Sequence, residues 1–429
     1  MNTPSLEDIR QQFPSLKRKF NGYPIAYLDG PGGYQVPARV IDAIADYLVN
    51  MNANVGTEFD TAQRTSSMLQ NAREIFADFF NCTWDEVIFG ANMTTLNFFL
   101  AQTLCREMKT GDRVLITEID HEANRGPWLQ LTDRGILVDE VALDPVSCTL
   151  DMTDYQRKLD RKTKVVALNY ASNGVGTISD VKKMIDMARD TGAYTVVDAV
   201  HYASHGPLDV QELKADFLLC SAYKFFGPHI GVLYGRKNVL EKLNPLNLRT
   251  QSKGPPYMME TGTLHHEGIA GAGAAVEFIA DAGATLGGDF LEQSGKKNDS
   301  RRNRIVAGLR VFDQYEQGLC RYLLEELSQN IKGITIYGPP AGHPRTSTVS
   351  FTYQGVHPEQ VAKYLGSKGI FVWAGHFYAI RLVERLGLSD QGGLIRVGIT
   401  PYNTKSELDR LLEALDDGKS LKAYGQTIE

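Results

Sequence analysis

The chain alternates short apolar runs with amphipathic stretches. Residues 38–50 (ARVIDAIADYLVN) and 61–79 (TAQRTSSMLQNAREIFADF) repeat their apolar positions every three or four residues, the period of a helix with one buried face. From about residue 85 the pattern changes. Short apolar runs recur at 86–91 (EVIFGA), 113–118 (RVLITE), 165–171 (VVALNYA), 194–200 (YTVVDAV), 217–223 (FLLCSAY) and 231–236 (GVLYGR). Helical stretches such as 180–191 (DVKKMIDMARDT) separate several of them. This alternation predicts a largely parallel sheet with crossover helices. The runs at 217–223 and 231–236 lie too close for a crossover, so they predict a local antiparallel turn. A long helical stretch over 290–332 then leads into a final hundred residues that read strand, strand, helix, strand, helix, strand, helix. ITIYG, TSTVSFTYQ, HPEQVAKYLGSKG, IFVWAG, LIRVGI and SELDRLLEALDDG carry that pattern and predict a smaller α+β domain.

Composition narrows the class. A chain of 429 residues suits one large α/β domain plus a smaller one. Hydrophobic residues are 43% and charged residues 22%, ordinary for a globular protein. The net charge is -6, so no nucleic-acid partner is expected, since that affinity rests on clustered Lys and Arg. Five cysteines (Cys82, Cys105, Cys148, Cys220, Cys320) are widely spread, with no CxxC or Cys/His spacing. Neither structural disulfides nor a metal site are expected. The first residues, MNTPSLEDIRQQFPSL, lack the apolar core of a signal peptide, and no apolar run approaches the length of a membrane span. The expectation is a reduced, cytoplasmic protein without a membrane helix.

Five strand ends carry candidate chemistry. In CSAYKFFGPHIGVLYGR, Lys224 directly follows an apolar strand, where it either forms an imine with a carbonyl cofactor or is a surface lysine at a turn. In YTVVDAVHYASHG, Asp198 ends a strand. It either faces a pyridine nitrogen or caps a helix or pairs within the core. In VIFGANMTTLNFFLAQTL, the backbone N–H groups of Asn92, Met93 and Thr94 open a helix, which makes an anion site or a plain N-cap. His121, in TEIDHEANRGPW, either stacks on a flat cofactor or is structural. Asn173, in ALNYASNGVGTISDV, either donates to a phenolic oxygen or serves a turn before glycine. Each segment alone is ambiguous. Together they offer the parts of one pyridoxal 5'-phosphate (PLP) site at the strand ends of an open α/β sheet, where ligands bind.

The same segments carry a resemblance. VVDAVHYASH, SAYKFFGP, SNGVGTISDV and IRVGITPYNT are similar to motifs of the class V aminotransferase family of fold type I PLP enzymes, in its cysteine desulfurase-like branch. The likeness runs from FPSLKRKFNGYPIAYLDGPGG to IRVGITPYNTKSELDRLLEAL, nearly the whole chain. It implies residues 31–290 as a large PLP-binding domain with a mainly parallel seven-stranded sheet between helices. Residues 291–429 would form a C-terminal α+β domain, against which segment 1–30 packs. It implies Lys224 as the Schiff-base lysine and carrier of the substrate Cα proton, Asp198 against the pyridine nitrogen, and His121 on the ring face as a possible acid or base. Asn173 and His201 would address the phenolate side, and His201 stands where relatives often carry glutamine. Asn92, Met93, Thr94 and Ser221 would hold the phosphate, as would Tyr223, where relatives often carry histidine. Thr263 would reach the phosphate of a neighbouring subunit, which implies a homodimer with shared sites. Arg396 would clamp the α-carboxylate of an amino-acid substrate. Tyr34, Asn54, Phe59, His265, His376 and Tyr378 are candidate lining residues.

Departures from the branch bear on the reaction. In WAGHFYAIRL, Tyr378 occupies the position where relatives carry the sulfur-accepting cysteine, and a phenol cannot form a persulfide. The TGT of METGTLHHEG lacks the proline that follows it in desulfurases, and DGPGGYQVP brings Gly30, Gly32 and Gly33 near the expected site mouth. The expected activity is a PLP-dependent C–S lyase that eliminates a β-substituent without a persulfide cysteine. An aminotransferase, epimerase or deaminase would share the fold. A non-catalytic sulfur-transfer scaffold is the alternative from another class.

Overall fold

The computed structural model describes residues 5–293 and 300–426. Residues 1–4, 294–299 and 427–429 belong to the expected N-terminal segment, linking helix and C-terminal domain, and lie outside the described residues. The large sheet has seven strands: β1 Val87–Gly90, β2 Arg113–Thr117, β3 Leu137–Val141, β4 Thr163–Asn169, β5 Tyr194–Asp198, β6 Phe217–Ser221 and β7 Gly231–Gly235. Their order is β1-β7-β6-β5-β4-β2-β3. Only β7 runs antiparallel to its neighbours, in register Phe217↔Gly235 to Ser221↔Gly231 with β6. This is the expected α/β fold with a mainly parallel sheet.

Both sheet faces are covered, which explains the near-continuous apolar runs. Val165, Ala167, Val196 and Phe217 enter one core; Val166, Leu168, Val197 and Leu218 enter the core on the opposite face. β3 escaped the pattern because it is an edge strand whose Asp139 and Glu140 are only half-buried. The expected helices appear as Ala38–Asn50, Asp60–Phe80 and Val181–Arg189. One further helix, His266–Leu286, is long and apolar enough to cross a membrane by length and composition. Its buried residues instead enter the large core, and Gly283 lies so close to Gly308 on helix Arg301–Gln329 that a Cβ at either would overlap the other helix's backbone.

The C-terminal sheet comprises β8 Ile334–Tyr337, β9 Thr348–Tyr353, β10 Trp373–Gly375 and β11 Leu394–Gly398, in order β8-β9-β11-β10 and antiparallel throughout. The expected strand IFVWAG is two. Trp373–Gly375 joins this sheet, whereas Ile370–Phe371 runs parallel to Ala26–Tyr27 from the start of the chain. Ala26 and Leu28 are buried in the C-terminal core, while Ile9 and Phe13 pack into the large one. The last helix, Gly418–Gln426, had no separate signal in the sequence.

Candidate active site

A cavity open to solvent lies at the C-terminal ends of β4, β5 and β6 and the start of helix Met93–Cys105. Its lining includes Asn92, Met93, Thr94, His121, Asn173, Asp198, His201, Ser221, Tyr223 and Lys224, ten of the positions singled out from the sequence. Crossover topology makes this convergence, because every parallel strand delivers its following loop to the same edge.

Lys224 ends the short turn after β6, and its Nζ donates to the Pro31 carbonyl. The turn is fixed by aromatic packing. Phe226 takes a left-handed φ of +68°, held by Tyr34 and Phe278 with ring centroids at 5.0 and 5.1 Å. Burial pushes the Lys224 ammonium down to about 7, helped by the Arg396 charge and opposed by Asp29 and Asp198. A neutral amine is therefore accessible near neutral pH. Asp198 is buried, and its Oδ1 accepts from Val200 N at 2.9 Å. Burial raises its carboxyl to about 7 against that bond, with Asp120 adding to the rise and Lys224 opposing it. A cation placed against Asp198 would restore its ionised form.

The candidate anion site draws on three elements. Asn92 caps helix Met93–Cys105 by accepting from Thr95 N at 2.9 Å, and Met93 N donates to Ser221 Oγ at 3.2 Å. Gly231 opens β7 where a Cβ would overlap the Asn92 backbone, so glycine lets the helix start approach the sheet. His121 caps the next helix, its Nδ1 accepting from Ala123 N at 3.0 Å. Burial, with the Lys224 and Arg396 charges, lowers it to about 4. The ring is neutral with its proton on Nε2, which suits stacking and donation rather than proton abstraction. His201 is buried, its Nε2 between the hydroxyls of Thr346 (3.1 Å) and Thr348 (3.0 Å), and burial depresses its pKa strongly.

Other positions differ from expectation in detail. Asn173 Nδ2 donates one of its two hydrogens to Phe377 O at 2.9 Å, and its Oδ1 has no protein partner. Arg396, on β11, is buried; Nη2 meets Asp29 Oδ1 at 2.8 Å, Nη1 donates to Asn173 O at 3.0 Å, and Nε has no partner. Tyr34 lies outside the cavity, in the aromatic cluster with Phe226 and Tyr402, because the Gly30–Gly33 turn directs it inward. Asn54 is exposed, bonded to Val55 N, and does not line the cavity. Thr263 is exposed and lines a second cavity with Thr95, Phe99 and His265. His376 and Tyr378 do not line the cavity; Tyr378 packs beside His121, which does, with ring centroids 5.6 Å apart, and its O accepts from Glu122 N at 2.8 Å. Asp29, Pro31, Asn169, Thr346 and Thr348 were missed. Asn169, closing β4, had the same strand-end signal as Asp198; Asp29 and Pro31 sit in the DGPGGYQVP segment expected near the mouth, and Thr346 and Thr348 arrive from remote sequence.

Comparison with known proteins gives the class. The aminotransferase class-V family model matches residues 26–288 and 306–411. The probable cysteine desulfurase of Halalkalibacterium halodurans is 32% identical, covering 96% of this chain and 97% of its own. The cysteine desulfurase of Pectobacterium atrosepticum is also 32% identical, with the same coverage. Among solved structures, the apo cysteine desulfurase of Thermococcus onnurineus superposes with a TM-score of 0.84 at 27% identity, covering 99% of both chains. The Escherichia coli cysteine desulfurase in its S-sulfonic acid form gives 0.82 at 26%, covering 98% of this chain and all of that one. The chain belongs to the class V aminotransferase family and is a PLP-dependent enzyme. The cavity fits that cofactor. It brings a lysine amine, a buried carboxyl and a helix N-terminus together. Its lining residues Asn169 and Asn173 have Oδ1 atoms without protein partners, and Arg396, which bonds Asn173 O, has an Nε without one.

Proposed function

We propose that this enzyme is a β-eliminating lyase of sulfur-substituted amino acids that works without a persulfide cysteine. The observation that carries the proposal is Tyr378, a phenol on the loop beside His121 where the sulfur-accepting group of a desulfurase would be needed. Among the described residues no cysteine lines the cavity, and four of the five cysteines are buried. The relatives named cysteine desulfurases support a sulfur amino acid as substrate.

PLP, when bound, supplies an electron sink for the charge that develops at Cα. Asp198 would face its pyridine nitrogen and hold a proton there. The start of helix Met93–Cys105, with Asn92, Thr94, Ser221 and Tyr223, would bind its phosphate. Thr263 lies outside its own cavity, consistent with reaching the site of a second subunit in a homodimer. His121 would cover the ring face and exclude water. Asn173 and His201 would orient the phenolate side. Arg396 would bind the α-carboxylate, which competes with Asp29 for the guanidinium. Lys224, its proton affinity lowered to about 7, would hold the cofactor and carry the Cα proton. Loss of that proton and of the thiolate, followed by hydrolysis, converts an S-substituted cysteine and water into a thiol, pyruvate and ammonia.

The test is keto-acid release from cysteine, cystine and S-substituted cysteines. Release that disappears in Lys224→Ala supports the reading; a broad panel yielding no keto acid overturns it.

A further inference from the structure

Beside the cavity, against its lining residue His121, lies aromatic surface that the reaction above does not use. Trp373 on β10 pairs in register with Arg396 on β11, with the guanidinium 5.8 Å from its ring centroid. Tyr378 lies 5.6 Å from the His121 ring and 6.4 Å from that of Trp373. Trp373 is 41% exposed and Tyr378 56%, unusual for large rings beside a buried charge. The rings meet at 50° and 80° rather than stacking on one another, which leaves flat surface exposed beside the cavity.

The backbone that holds Tyr378 there is strained. Phe377 and Tyr378 have φ of +54° and +56°, a left-handed conformation that residues with a side chain seldom adopt and rarely twice in succession. Four hydrogen bonds enforce it. Phe377 O accepts from Asn173 Nδ2 at 2.9 Å, Tyr378 O from Glu122 N at 2.8 Å, His376 Nδ1 from Tyr378 N at 3.1 Å and His376 O from Ala379 N at 2.7 Å. Neighbouring side chains thereby diverge. Phe377 turns inward, 4.4 Å from the Arg396 guanidinium, while Tyr378 turns out to solvent. Strain sustained this way beside a site points to a use for the placement.

We infer that Trp373 and Tyr378 form the side-chain subsite, and that it takes a cysteine whose sulfur bears a flat apolar group, such as S-benzyl-cysteine, in preference to free cysteine. The inference rests on the reading that Arg396 binds the substrate α-carboxylate. That anchor sets the carboxylate beside Trp373, so the side chain extends towards the two rings. A bare thiol would leave both rings in water; an aryl group would cover them and meet them edge-on or offset.

The test uses the PLP-loaded enzyme and reads binding, as the change in cofactor absorbance on titration with S-benzyl-L-cysteine, S-methyl-L-cysteine and L-cysteine. S-Benzyl-L-cysteine is expected to bind about tenfold more tightly than S-methyl-L-cysteine, equivalent to ~1.4 kcal/mol. The ratio should fall towards one in Tyr378→Ala and Trp373→Ala and persist in Tyr378→Phe, which keeps the ring. Equal affinities in the unmodified enzyme, or a ratio unmoved in both alanine variants, overturns the subsite. Tighter S-benzyl binding with no keto acid formed leaves the subsite standing and overturns the lyase reading.

Discussion

Replacing Lys224 by methionine should make the protein without cofactor more stable, and the gain should shrink as pH rises. The site holds the Lys224 ammonium at about 7 against 10.5 for a free lysine, chiefly through burial. At ~1.4 kcal/mol per tenfold change in proton affinity, charging this amine inside the fold costs on the order of 4–5 kcal/mol. Water admitted by the open cavity returns part of that, so about 2–4 kcal/mol is expected. The folded pKa lies below the unfolded one, so between them the unfolded chain binds more protons and stability rises with pH. The penalty is therefore whole below pH 7, roughly halved near pH 9 and gone above about 10.5. Methionine keeps the length of the side chain and removes the charge. The assay is urea unfolding of both proteins, freed of cofactor, from pH 6 to 10. Asp198 titrates in both, and its contribution cancels to first order in the difference. A Lys224→Met protein that is less stable at pH 7, or whose advantage does not change with pH, would refute the reasoning.

Three further outcomes follow from particular contacts. Arg73 and Glu260 form a buried two-bond pair at 2.9 and 2.7 Å, and Glu260 also accepts from Phe89 N, so Glu260→Gln should cost about 3–5 kcal/mol in urea unfolding; a loss below ~1 kcal/mol would show that the pair does not tie the helix to β1. Arg396→Lys keeps charge but not the planar fork, and should raise the amino-acid KM about tenfold or more, with an unchanged KM counting against the carboxylate clamp. The double change Thr346→Val and Thr348→Val strips both hydroxyls from His201 Nε2 and should cost about 1–3 kcal/mol, largely restored by Ser at both positions; full stability in the valine protein would mean that the hydroxyls do not matter to the buried ring.

Much of the site was legible because its strands are buried on both faces. Such strands write themselves as apolar runs, so polar residues at their ends, Asp198 closing β5 and Lys224 three residues beyond β6, stand out at the ligand edge. Legibility failed where structure depends on partners distant in sequence. β3 is an edge strand with half-exposed acids and lacks the apolar run. IFVWAG divides because Ala26–Tyr27 claims Ile370–Phe371, a pairing across most of the chain. Arg396 was recognised, but not its engagement by Asp29. Tyr34 follows a glycine turn whose local sequence does not say which way the ring faces; three aromatic neighbours decide it. The position of Asn173 was evident, while its bond to Phe377 O required the folded loop.

Elimination without a persulfide is distinguished from sulfur transfer by the identity of the products. The PLP-loaded enzyme would be incubated with an S-substituted cysteine and with cysteine itself, and the products and the intact polypeptide mass measured together. Elimination yields pyruvate, ammonia and the released thiol or sulfide in equal amounts, with the polypeptide mass unchanged. Alanine as the amino-acid product, with one sulfur atom added to the polypeptide, would contradict it.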